Sequence, residues 1–201
     1  MASEDITISP ESEKSTLDRL YLQNSREILL TIICIVLGIS FFLGFSLIQM
    51  PYIMISFFAL GLAPAYAIIA VTGAIRGPFA GFIVGALGKL FTDLFLYGMI
   101  PLMGLPYLAY GVLGLIVGLA TYDFTEGRSL AKMSILSMVG LAFTLMLVVV
   151  IGLLLGDVAI LVGIAFVLLP QLTLGLPSVF LLTPIFARIW YNLKENVPLP
   201  V

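Results

Sequence analysis

The chain has 201 residues, of which 61% are hydrophobic and only 10% charged, with a formal net charge of −2. A soluble domain carries about 45–50% apolar and about 25% charged residues. Composition therefore excludes a water-soluble enzyme, a nucleic-acid binder and a disordered scaffold, and indicates an all-α membrane protein surrounded by the lipid bilayer. The chain has no histidine, which removes the commonest metal ligand and the commonest general base, so no metal, cofactor or catalytic residue is expected.

Residues 1–27 are polar and rich in Ser, Glu and Asp, without the short basic start of a secretory signal. They read as a cytoplasmic tail before a transmembrane domain over 28–195, with 196–201 as a second short cytoplasmic tail. The first apolar run is Ile28 to Ile48, broken by Gln49, Pro51 and Tyr52. It contains the single cysteine, Cys34, so no disulfide within the chain can form. Two pairs of small residues spaced by four, Cys34 with Gly38 and Ser40 with Gly44, lie on different faces and can admit a partner helix.

A second run extends from about Phe57 to Ala74 and stops at Arg76-Gly77-Pro78; a third follows to Tyr97. Gly98 to Pro106 carries two prolines and two glycines and reads as a loop. Tyr107 to Thr121 is the fourth run. Asp123 to Lys132 holds four charges and predicts a loop before the fifth run, Met133 to Leu155. The stretch from Val158 to Tyr191, punctuated by Pro170, Pro177 and Pro184, predicts a loop or re-entrant turn followed by a sixth span over about Val167 to Tyr191.

Six spans with both termini inside place Lys14, Arg19, Arg26, Arg76, Arg128, Lys132, Arg188 and Lys194 on the cytoplasmic side, 8 of the 9 basic residues. The outer loops near 49–56, 98–106 and 156–166 hold none. That asymmetry follows the rule that positive charge stays inside.

The third run carries the most chemistry. Its glycines at 77, 81, 85 and 88 fall within a stripe of about 80°, which lets a neighbouring helix approach closely. Lys89 and Asp93, the ninth basic residue and its neighbour one turn on, can pair on one helix face beside that stripe. A charge at membrane depth costs about 2.5–3.5 kcal/mol on insertion scales and marks a site or a pathway; the rival reading is an ion pair that only holds helices together. In the fourth run Tyr107, Tyr110, Gly111, Gly114 and Gly118 share about 100° of arc. The two tyrosines suit either the aromatic belt of the membrane interface or stacking on a flat ligand. Asp157, Gln171 and Thr173 are the remaining polar groups on the outer side or in the last span, with Asp157 read also as a solvated loop charge.

The run Gly-Pro-x-Ala-Gly-x-x-x-Gly-Ala-Leu-Gly-x-x-x-x-Asp, Gly77 to Asp93, resembles the third helix of the substrate-binding S components of energy-coupling factor (ECF) transporters. The similarity extends from the Pro51–Leu60 segment through the tyrosine–glycine helix to the Pro-containing last helix, about residues 28–195. The resemblance implies a multi-pass protein of the cell membrane that captures a vitamin or similar small micronutrient from outside. It also implies partners, a transmembrane T subunit and a pair of cytoplasmic ATPases, since this chain has no phosphate-binding Gly-x-x-x-x-Gly-Lys-Ser/Thr loop. The family's docking motif in helix one is Ala-x-x-x-Ala; with no alanine between Ile28 and Ile48, Cys34/Gly38 or Ser40/Gly44 take that place. On this reading the ligand pocket is walled by spans three, four and six and lidded by the outer loops near 49–56 and 156–166. Lys89, Asp93, Tyr107, Tyr110, Asp157 and Gln171 are the candidate binding residues. The alternative is a non-transport membrane scaffold of the same six-helix shape. A membrane enzyme is disfavoured by the missing histidine and the scattered carboxylates.

Overall fold

The computed structural model describes residues 25–48, 52–98, 105–156 and 159–196. Helix α1 (Ser25–Leu47) is followed by a two-stranded antiparallel hairpin, β1 (Ile53–Ile55) and β2 (Phe58–Leu60). Next come α2 (Pro64–Tyr97), α3 (Leu105–Gly118) and α4 (Gly127–Leu154). A single turn, α5 (Ile160–Val162), passes through a π-helical segment at Gly163–Leu168 into α6 (Leu169–Asn196). Four helical stretches, α1, α2, α4 and the continuous Ile160–Lys194 segment, are long and apolar enough to cross a membrane, and α3 is a shorter apolar helix.

The second apolar run divides differently from the expectation. Phe57 to Leu62 is not helical: Ile53 pairs with Leu60 and Ile55 with Phe58 across a two-residue connection in which Ser56 has φ 55°. β-branched and aromatic residues favour the pleated form, and Pro64 starts the helix because its missing N–H costs nothing in the first turn.

Helix α2 is one element of 34 residues broken at Gly77, whose φ of 83° and ψ of 177° lie in a region open essentially to glycine. The break is a reversal. A Cβ on Gly81 would lie 2.7 Å from the Gly73 Cα, although a straight helix separates positions eight apart by about 12 Å. The arms on either side of Gly77 therefore fold back on each other, and α3 packs into the same seam: that Cβ would also meet the Gly114 Cα at 2.8 Å. Three backbones touch here because the side chains between them are hydrogen atoms.

The charged stretch before the fifth run is also partly helical. Helix α4 begins at Gly127, so Arg128 and Lys132 stand on its first turns. The short connection between α3 and α4 is tied by Asp123, which accepts from the N–H and the hydroxyl of Thr125, at 2.9 and 2.6 Å. Those bonds hold its carboxylate below the ordinary range. Tyr122 donates to the Val117 carbonyl at 2.8 Å, and burial pushes its phenol up to about 12.

The prolines of the last run do not end the helix. Pro184 leaves the Phe180 carbonyl without its helical donor, and the hydroxyl of Ser134 on α4 supplies one at 3.0 Å. The π-helical segment just before Pro170 gives the chain the wider turn in which a proline is tolerated. The core runs through all these elements, with Ile69, Leu113, Met133, Leu141, Leu145 and Val179 fully buried.

Candidate functional site

Five polar side chains from three helices converge near one end of the bundle. Tyr66 comes from the first arm of α2, Lys89 and Asp93 from its second arm, Tyr110 from α3 and Gln171 from α6. The Lys89 ammonium donates to the Asp93 carboxylate at 2.5 Å, with the two side chains 25% and 15% exposed. It also sits 5.7 Å from the centroid of the Tyr110 ring, a cation–π distance. The rings of Tyr66 and Tyr110 stack at 6.4 Å with 6° between planes. Both phenols donate to the same Gln171 carbonyl oxygen, at 3.2 Å from Tyr66 and 3.0 Å from Tyr110. The Asp93 carboxylate acts electrostatically on the phenols of Tyr66, Tyr107 and Tyr110. The network couples its members, since turning either phenol gives up its bond to Gln171.

A cavity of about 370 Å³ adjoins this network. One wall is the end of α1, with Phe42, Phe45, Ser46 and Ile48. The hairpin root and the start of α2 contribute Tyr52 and Leu62 to Tyr66, and the second arm contributes Lys89, Thr92 and Leu96. Its size matches small-molecule sites, which run from about 300 to 1,000 Å³. Most lining side chains are apolar, with an ammonium, two hydroxyls and two phenols at defined points: a surface suited to a flat apolar body carrying a few polar groups.

The sequence-predicted residues divide into three groups. Lys89 lines the cavity. Asp93, Tyr110 and Gln171 stand behind Lys89 and Tyr66 and fix them in place, while Tyr107 is 5% exposed and near Asp93. The two tyrosines of α3 are thus inside the bundle and not in an interfacial belt, because α3 is enclosed by α2 and α4. Asp157 lies outside the described residues. The expected walls also change: α3 contributes no lining residue, α6 contributes only Leu174, and α1, read as a docking helix, forms a wall.

Tyr66, Phe42, Phe45 and Thr92 were missed. Tyr66 did carry a signal, since a phenol in an apolar span needs a hydrogen-bond partner. Of the four docking candidates, Gly38 is turned inward: a Cβ there would meet Val84 Cγ2 at 2.8 Å and the Thr72 hydroxyl at 3.0 Å. It is a contact within the fold. Ser40 and Gly44 are exposed, Gly44 with nothing within 4 Å of an added Cβ, and Cys34 is half-buried.

Comparison with family models matches residues 28–184 to the ECF-type riboflavin transporter, S component. Searches of curated proteins and of solved structures return no match. The matched family consists of membrane transporter subunits that bind substrate and are not enzymes. Its model spans α1, the hairpin, both arms of α2, α3, α4 and most of α6, and so takes in every described residue of the cavity and of the tyrosine–glutamine network. On that coverage, the chain belongs to the family of S components of ECF-type riboflavin transporters.

Proposed function

We propose that the protein captures a flavin-type vitamin from outside the cell and delivers it inward with a T subunit and ATPases. The observation that carries this reading is the cavity: about 370 Å³ at the end of the bundle whose loops hold no basic residue, with Lys89 and Tyr66 on its wall. An isoalloxazine ring has the flat apolar body the lining suits, and its carbonyls and ribityl hydroxyls are partners for an ammonium and a phenol. Purified protein titrated with riboflavin should quench flavin fluorescence saturably at one ligand per chain. A titration that never saturates removes the flavin assignment.

The reading includes six crossings with both termini cytoplasmic, α1, the two arms of α2, α3, α4 and the Ile160–Lys194 segment. Support comes from the distribution of basic residues and the reversal at Gly77. In a Cys34→Ser background, single cysteines at Thr125 and at Gly98 should differ. The first should resist an impermeant maleimide added to intact cells and the second should react; the reverse pattern inverts the topology.

The exposed side of α1 around Ser40 and Gly44 is the docking surface for the T subunit in this scheme. Gly44→Leu should lower T-subunit copurification and leave riboflavin affinity unchanged, since Gly44 does not line the cavity and only a very small side chain allows close helix approach. Normal copurification of that variant moves the docking surface elsewhere.

A further inference from the structure

We propose that the outward face of the β1–β2 hairpin is a lipid-binding surface, seated in the outer interface of the bilayer at the boundary between headgroups and acyl chains. Strand periodicity and the register define that face. Ile53 and Ile55 on β1 share it with their partners Leu60 and Phe58 on β2. All four are exposed, at 67%, 57%, 55% and 47% in that order. On the opposite face the two partners differ: Met54 on β1 is 54% exposed, and Ala59 on β2 is seated on the protein. Ala59 is 1% exposed, and its N–H donates to the hydroxyl of Thr173 on α6 at 3.0 Å. An antiparallel ribbon with one face on a core presents polar residues to water on the other; this one presents two isoleucines, a leucine and a phenylalanine.

Two further observations select lipid as the occupant. From Gln49 to Leu62 the sequence has no charged residue, so nothing in the segment holds it in water or pairs with a charged protein partner. The hairpin is also continuous with the membrane-facing surface. Phe57 at its turn meets the ring of Phe166 edge-on at 5.6 Å, and Phe166 is itself 62% exposed on the π-helical approach to α6. On the other side its root, Tyr52, shares the cavity wall with Ile48 at the exposed end of α1. Depth follows from the backbone. A two-stranded ribbon has open edges whose N–H and C=O groups find no partner in hydrocarbon, which keeps it out of the bilayer core, and its apolar face keeps it out of water. The interfacial layer satisfies both, as it does for amphipathic helices that lie in the membrane plane. Because Tyr52 and Leu62 at the hairpin's two roots line the cavity, lipid that holds the hairpin also holds one wall of the ligand site.

The chain has one tryptophan, Trp190, so Trp190→Phe gives a dark background. Phe58→Trp and, separately, Ile53→Trp report on the hairpin face, and Glu126→Trp in the exposed connection between α3 and α4 is the aqueous control. Each variant is placed in phosphatidylcholine nanodiscs with and without lipid brominated near the headgroup end of the acyl chain, then titrated with iodide. Both hairpin reporters should emit to the blue of the control, lose most of their intensity to brominated lipid, and be quenched by iodide several-fold less than Glu126→Trp. Iodide quenching equal to the control with no bromine effect places the face in water and overturns the proposal. Resistance to both quenchers overturns it in favour of a protein occupant such as a second copy. No ligand enters the experiment, so its result stands apart from the flavin assignment.

Discussion

Replacing Lys89 with alanine is expected to weaken riboflavin binding roughly ten- to a hundredfold, with a smaller loss of folded yield. The magnitude is that of one hydrogen bond to a charged group, about 1.5–3 kcal/mol. The motive is position. Lys89 lines the cavity while its partner Asp93 does not, so the ammonium faces the ligand space on one side and the carboxylate on the other. A purely structural pair makes a different forecast: removing one member of a buried pair costs about 3–5 kcal/mol of stability because the other charge is left uncompensated. The double variant Lys89→Leu with Asp93→Leu separates the two. If the pair only joins helix turns, the double variant regains thermal stability and binds normally. If Lys89 contacts ligand, it regains stability and still binds poorly. Melting temperature and flavin affinity measured on the wild type, the single and the double variant decide the question; normal binding by the double variant removes Lys89 from the site.

The second large effect is on folding. Gly114→Ala is expected to destabilise the protein by about 3 kcal/mol, the upper end of ordinary overpacking costs, and Gly114→Leu to leave no monodisperse protein in detergent. A Cβ on Gly114 would run into the backbone of Gly81, with the Cα at 2.6 Å and the carbonyl nearer still. Backbone atoms in a packed helix cannot rotate aside as a side-chain terminus can. The displacement would pass to Tyr110, one turn earlier on α3, and through it to Gln171 and Tyr66, so residual folded protein should also bind flavin more weakly. Size-exclusion profiles after graded heating measure the first effect. A Gly114→Ala profile matching the wild type means that α3 and α2 do not meet at this seam.

Much of the fold is legible in the sequence because a bilayer imposes one-dimensional rules. Length and uniform apolarity of a segment are sufficient for it to cross, and α1 and the body of α4 stand where the apolar runs place them. The glycine stripe of the third run is legible for the same reason: its 3.6-residue period is local. Where a segment's state depends on a distant partner, local pattern failed. The start of the second run is apolar enough for a helix, yet it is a hairpin strand and a short link to α2, in which the Ala59 and Ala63 N–H groups are taken by Thr173 and Ser178, more than a hundred residues away. The last span keeps its helix through Pro177 and Pro184, as its length and apolarity predict, but what completes it at Pro184 is distant: Ser134 on another helix supplies the missing donor to the Phe180 carbonyl.

The candidate site divides along the same line. Sequence by itself determined the membrane class, the Lys89–Asp93 pair and the resemblance carried by Gly77 to Asp93, because composition, period and i to i+4 spacing act within one segment. Only the tertiary structure decided that Tyr66 joins Tyr110 and Gln171, that Gly38 is a contact within the fold, and that α1 and the hairpin root, not α3, wall the cavity. The reason is that a cavity is the space packing leaves unfilled. Its position depends on how closely helices approach, which is set by atoms such as the Gly81 and Gly114 backbones that meet only after the chain has reversed at Gly77.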